Sequence, residues 1–269
     1  GELIVVTNGE LRSHRPFPKN QARPCIFEHV YFSRPDSIVD GSSVYSVRKG
    51  IGAQLAIESP VVADYVIPVP DSGTPAALGF SEESGIPFEL GIIRSHYVGL
   101  GVKLKHNANR PLVNGKKIVL VDDSIVRGTT SLKIVQMMRE AGAAEVHMRI
   151  ASPPTMHSCF YGVNTPKREK LLAARKSIEE MREFIQADSL AFVSIDGLYR
   201  AAGEETRHDI QPQYCDACFT GAYPTVLTDR DGEEETDQLS MLNERSDSSG
   251  TARDHEPSGD LPRLKQSAN

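Results

Sequence analysis

The sequence has no tryptophan, and phenylalanine and tyrosine make up only 6% of its 269 residues. So few large rings suit an all-β sandwich poorly, whereas the many short runs of Val, Ile, Leu and Ala suit buried parallel strands. No apolar run approaches the roughly 18 residues that a membrane-crossing helix needs. Gly1-Glu2-Leu3 also lacks the charged and apolar regions of a signal peptide. We therefore expect a cytoplasmic chain without a membrane partner. There is no GxxxxGK[ST] phosphate loop and no GxGxxG fingerprint after any strand, which argues against those two nucleotide-binding classes. No Ser, Cys or His arrangement reads as a nucleophilic triad. With only four cysteines, disulfides are not expected in this compartment.

Excess positive charge is missing as well. The formal net charge is −6, and the segment 229–269 carries all of it, with 11 acidic and 5 basic residues. The remaining body is balanced, with 25 acidic residues against 25 basic. A neutral body has no long-range field to draw in nucleic acid, and none is expected as a partner. The acidic segment has almost no apolar periodicity and reads as a disordered tail.

What is present is an alternation of strands and helices. Asn8-Gly9 between apolar runs signals a hairpin. Val44, Val47, Ile51 and Leu55 share one helical face behind Ser42 and Ser43, which can cap it. Next come strands at 65–69, 88–94, 117–121 and 145–150, with helices at 74–84 and 129–141. This pattern predicts an α/β fold, a parallel sheet flanked by helices, with ligands beyond the carboxyl ends of the strands. Leu171, Leu172, Arg175, Ile178, Met181 and Ile185 recur at helical spacing and predict one long helix over 167–186, packed on the core as an appendage.

Two loops at strand ends carry the chemistry. In VLVDDSIVRGTT (119–130), a buried strand runs into Asp122 and Asp123, then into a loop with Gly128, Thr129 and Thr130, then into a helix. Amides at a helix N-terminus, beside small hydroxyls and a glycine, make a phosphate cradle. Adjacent carboxylates can accept hydrogen bonds from neighbouring ribose hydroxyls and face positive charge developing on a sugar carbon. The second loop, Pro70-Asp71-Ser72-Gly73-Thr74, also joins a strand to a helix and can hold another phosphate. Taken singly, each loop also reads as ordinary helix capping. The pairing of the two is what favours a phosphorylated sugar.

Cys25, Cys159, Cys215 and Cys218 include one CxxC pair. Their spacing allows a zinc site, a [4Fe-4S] cluster or simply buried reduced thiols, and does not choose among them.

VLVDDSIVRGTT resembles the motif with which type I phosphoribosyltransferases bind phosphoribosyl pyrophosphate (PRPP). The stretch 23–202, including CIFEHVYFSRPDS and IPVPDSGTPAALG, resembles the corresponding half of the glutamine PRPP amidotransferase family. The resemblance implies a type I phosphoribosyltransferase fold. It also implies magnesium-dependent displacement of pyrophosphate from PRPP by ammonia, drawn from glutamine in the full-length enzyme, in purine synthesis. By it, Asp122 and Asp123 are catalytic, bind ribose and help hold magnesium with Ser72. Ser124, Arg127, Gly128, Thr129 and Thr130 receive the 5′-phosphate, and Asp71, Ser72 and Gly73 form the pyrophosphate loop. It further implies that the four cysteines hold a [4Fe-4S] cluster and that the protein is a homo-oligomer.

The family begins with a glutaminase domain, so residues 1–40 read as a connector from a missing N-terminal domain. Residues 41–165 then read as the core, 166–228 as a helical segment with the CxxC, and 229–269 as the tail. A mobile lid of the family, expected between Gly99 and Leu100, is absent from the sequence, and Arg94, Lys103 and Lys105 beside that junction are basic. The rival class is a PRPP-binding regulator without catalysis, which the neutral body and the cysteine quartet disfavour.

Overall fold

The structure, a computed structural model, describes residues 2–19, 21–94 and 106–227. The expected lid junction, Lys103, Lys105 and the acidic tail lie outside these residues. Asn8-Gly9, both at positive φ, turn a hairpin of β1 (Leu3–Thr7) and β2 (Glu10–His14). A π-helical turn at Glu28–Phe32 precedes the short pair β3 (Ile38–Val39) and β4 (Ser42–Ser43). Helix α1 (Val44–Glu58) starts where the Ser43 hydroxyl accepts from the Ser46 amide. Then follow β5 (Tyr65–Pro68), α2 (Thr74–Ser84), β6 (Ile92–Arg94), β7 (His106–Ala108), α3 (Arg110–Val113), β8 (Lys117–Asp122) and α4 (Thr129–Glu140). The remaining elements are β9 (Glu145–Ile150), α5 (Ile178–Ile185), β10 (Ser189–Phe192), α6 (Ile195–Ala201) and α7 (Ala217–Thr220).

The main sheet is parallel throughout, in the order β10-β9-β8-β5. Its strands are apolar on both faces because both faces are covered. Val66, Val119 and Val121 turn toward α1, α2 and α6, where Ile51, Leu55, Phe80 and Leu198 complete one core. Ile67, Ile118, Leu120 and Met148 turn the other way, onto Ile134 and Met138 of α4 and Met181 and Ile185 of α5. Among the described residues no helix is long and apolar enough to cross a membrane.

Several expectations need correction. The helix expected over 167–186 is confined to Ile178–Ile185, preceded by a 3-10 turn at Arg168–Lys170. A capping box starts it, with the Ser177 amide donating to Glu180 Oε2 at 2.7 Å and the Glu180 amide to Ser177 Oγ at 3.3 Å. Leu171 and Leu172 are buried because the Leu172 amide pairs with Val126 O at 2.8 Å, so their spacing reflects core burial and not a helical face. Segment 166–228 is not only a helical appendage, since β10 completes the sheet beside β9. Residues 1–40 are not only a connector, since Ile26, Phe27 and Val30 lie in the core. In the stretch 88–94 only Ile92–Arg94 is a strand, and Phe88 forms an isolated bridge with Val66.

Candidate functional site

Beyond β5 and β8 the two chains stay paired, with the Val69 amide donating to Val121 O at 2.9 Å, which sets the 69–73 loop directly beside the end of β8. A Cβ on Gly73 would stand 2.3 Å from Val121 O, so this approach is open only to glycine. The Pro70–Asp71 peptide is cis. The exposed Asp71 pairs with Arg94 at the end of β6, and His106 of β7 lies 3.3 Å from Pro70 O through Nε2. Ser72 hydrogen-bonds the Asp123 side chain, joining the two loops.

Asp122 and Asp123 are both buried, each with 7% of its surface exposed. Burial is the main force raising the proton affinity of both carboxyls, and the charge of Asp123 pushes Asp122 well above the ordinary carboxylate range. At Asp123, burial is partly offset by hydrogen bonds from Ser124 and Ser72 and by the positive charge of Arg48. The Asp123 amide also donates to Asp122 Oδ1 at 2.9 Å. The arrangement concentrates two acids where a cation or a positively charged reaction centre would find them.

The loop then turns outward. Arg127, Thr129 and Thr130 are exposed, and Gly128 is the N-cap of α4. Gly128 adopts φ +75°, and a Cβ there would stand 2.5 Å from Leu172 Cδ2, so the backbone conformation and the packing behind it both call for glycine. No side chain caps the start of α4, and the first amides of a helix have no partner inside it, which is what an anion-binding helix start requires.

The four cysteines, all free, line one cavity of about 250 Å³ together with Val126 and Thr155. Cys25 and Cys215 lie side by side, with the Ile26 amide donating to Cys215 O at 3.1 Å and the Cys215 amide to Pro24 O at 2.8 Å. The Cys218 carbonyl accepts from the amides of Met156 and His157, both at 3.0 Å. The Tyr161 amide donates to Cys159 Sγ at 3.4 Å, and backbone amides at Phe27, Glu28 and Ala217 donate to Cys25 and Cys215. Burial, and then the neighbouring thiols, raise the Cys218 thiol far above its ordinary range. Among the described residues no three His, Cys, Asp or Glu side chains converge as a chelating group for a metal ion.

A family profile described as "Phosphoribosyl transferase domain" matches residues 54–151, which span both strand-end loops. An amidophosphoribosyltransferase of Rhizobium etli is 58% identical over 260 residues, covering 90% of this chain and 52% of that protein. One of Bacillus subtilis is 49% identical over 240 residues, covering 84% and 50%. The chain carries a phosphoribosyl transferase domain and is similar to amidophosphoribosyltransferases over most of its own length. A solved structure of the B. subtilis glutamine PRPP amidotransferase, complexed with ADP and GMP, superposes with a TM-score of 0.76 at 47% identity over 84% of this chain and 52% of that one. The fold is therefore that of the type I phosphoribosyltransferases, as the sequence implied. The chain spans about half the length of the curated amidophosphoribosyltransferases it matches.

The structure brings together Ser72, Gly73, Asp122, Asp123 and Ser124, and gathers all four cysteines on one cavity elsewhere. One residue within this crevice escaped sequence reasoning. Arg48 is buried, donates to His29 O at 2.9 Å and to Ser33 O at 2.7 Å, and turns its charge on Asp123. The signal was available, because Arg48 sits four residues after Val44 and three before Ile51, on the apolar stripe of α1.

Proposed function

We propose that this chain carries the phosphoribosyl-transfer site of an amidophosphoribosyltransferase. There ammonia displaces pyrophosphate from PRPP to give 5-phosphoribosylamine, the first step of purine synthesis. In a whole protein of this family, glutamine held on a glutaminase domain would supply the ammonia. The observation that carries the reading is the meeting of two phosphate-sized loops over one buried acidic pair. The ammonia nitrogen attacks the anomeric carbon and gives up a proton as the bond to the pyrophosphate oxygen breaks. Ammonia is already a competent nucleophile, so the chain's task is placement and charge stabilisation. Arg127 and the amides from Gly128 to Thr130 hold the 5′-phosphate. Asp122 and Asp123 accept the ribose hydroxyls and face the positive charge that grows on the sugar. Asp71 to Gly73 receive the pyrophosphate.

Ser72, Asp122 and Asp123 are the oxygen donors that fit magnesium. Such an ion takes one or two carboxylates and completes its shell with substrate oxygens and water, which agrees with a pair of buried carboxylates. Bound there, magnesium neutralises charge on the leaving group.

We assign the cysteine cavity to a [4Fe-4S] cluster. The spacing of the four thiols admits a single zinc ion as well, and the likeness to the amidotransferase family is what favours the cluster. Cys25, Cys159, Cys215 and Cys218 would each supply one thiolate to such a cluster. The N–H donors at Cys25, Cys159 and Cys215 suit thiolates that share their charge with iron. When bound, the cluster serves as a structural clamp sensitive to oxygen.

The test is to incubate the chain with PRPP, magnesium and ammonium at mildly alkaline pH and to measure pyrophosphate. Release is expected from the wild type and its loss from Asp123→Asn. PRPP binding with no release would support the regulator instead. An anaerobic preparation should be brown, with iron and sulfide in equal amounts, and stoichiometric zinc would contradict the cluster.

A further inference from the structure

Between the two cysteines of the 215–218 turn lies a carboxylate with no exposed surface. Asp216 Oδ2 accepts from the Tyr199 hydroxyl at 2.9 Å and from Arg207 Nε at 2.6 Å, and Oδ1 accepts from Thr220 Oγ1 at 2.9 Å. Its carbonyl accepts from the amides of Phe219 and Thr220. Tyr199 is itself fully buried on α6 and meets Tyr214, the neighbour of Cys215, edge-on at 5.6 Å. The Arg207 amide donates to Asp196 in the first turn of α6. The turn that bears Cys215 and Cys218 is thus fastened through its second residue to a helix of the main core.

Burying a charge pair costs desolvation, and an apolar side chain of similar volume often packs at lower cost. Packing alone therefore does not explain an ionic link at this place. What the link adds is a fixed direction, with a carboxylate whose oxygens accept from Tyr199 and Arg207 on two other segments and from Thr220 on its own short helix. Arg207 also balances Asp216, so the pair adds no net negative charge beside sulfurs that must become thiolates to bind metal.

We propose that Asp216, held by Arg207 and Tyr199, is a positioning residue that sets Cys215 and Cys218 in their ligand placement before any metal group is inserted. The inference rests on the cluster reading above. If it holds, weakening the network lowers the affinity for the cluster beyond any general loss of stability, because the folded chain must then spend binding energy on ordering the turn.

The experiment uses the full chain, reconstituted with ferrous iron and sulfide without oxygen, as wild type, Tyr199→Phe and Asp216→Asn. An iron chelator strips the cluster while visible absorption is followed, and melting temperatures are taken with and without cluster. Stripping is expected to be roughly 3- to 10-fold faster in Tyr199→Phe, which keeps the ring and loses only the hydroxyl. The rise in melting temperature on cluster binding should shrink in both variants. If Asp216→Asn does not fold, Tyr199→Phe decides alone. Overturning results are a wild type that holds the cluster with variants stripped at its rate, or melting temperatures that fall equally with and without cluster. A wild type that takes up no iron removes the cluster reading itself, and this inference with it.

Discussion

The strand-end crevice and the cysteine cavity meet at one loop, whose residue Val126 lines the cavity while its neighbours Arg127 to Thr130 make up the proposed cradle, yet they are built in opposite ways. The crevice comes from two contiguous stretches, 69–73 and 122–130, each at the end of a parallel strand, and the pairing of β5 with β8 brings them together. The cavity is collected from positions 25, 159, 215 and 218, none of which shares a strand of the main sheet. A site of the first kind inherits its precision from the sheet and is made for chemistry. A site of the second kind gathers separate parts of the chain, and its natural consequence is stability.

That contrast can be broken from either side. Replacing Asp122→Asn together with Asp123→Asn should lower pyrophosphate release by 10²-fold or more while the fold survives, as circular dichroism and activity would show. The same variant should lose a pH dependence. Burial raises both carboxyl pKa values in the folded chain, so their contribution to stability is full below the unfolded value, about 3.9. It is lost as pH rises through the higher folded values. Metal-free wild type should therefore melt at progressively lower temperature than the double variant as pH rises above about 4. A constant difference would contradict the shared burial of the pair.

On the other side, Cys218→Ser should remove the cluster and lower the melting temperature of the anaerobic protein by roughly 10 °C. An unchanged melting temperature would make the cavity mere packing. Gly73→Ala sharpens the crevice side, since its methyl would press on Val121 O. It should cost about 1–3 kcal/mol and raise the KM for PRPP, measurable by denaturation and steady-state kinetics. Ser177→Ala, outside both sites, should cost only about 1 kcal/mol through the lost helix cap, with activity and iron content unchanged.

Legibility in the sequence followed the same division. Helix α2 and strand β9 match their expected limits, and β5, α4 and β8 differ by a residue at an end, because each combines a strong apolar pattern with a clear stop. The Asp-Asp pair and its glycine and threonine loop were readable because the site is local. β10 was missed because Ser189–Phe192 is four residues long and half-buried at every position, which leaves no alternation to detect. The stretch 171–176 was misread because apolar residues bound for the core in a non-helical segment mimicked a helical face. Arg48 was passed over because a cation on an apolar stripe looks like an interruption until the carboxylate it serves is in view. The four cysteines were noticed, but only the folded chain shows that they line one cavity.

The backbone contact between Cys25 and Cys215 sets neighbours in space that stand near opposite ends of the described body in sequence. Any group bonded to both would turn almost the whole body into a ring. An unfolded chain bound into such a ring forfeits about 5 kcal/mol of configurational freedom, and the native state gains by the same amount. Oxygen that cuts the ring open would therefore leave each local contact as it was and still hand the protein a much larger crowd of unfolded rivals.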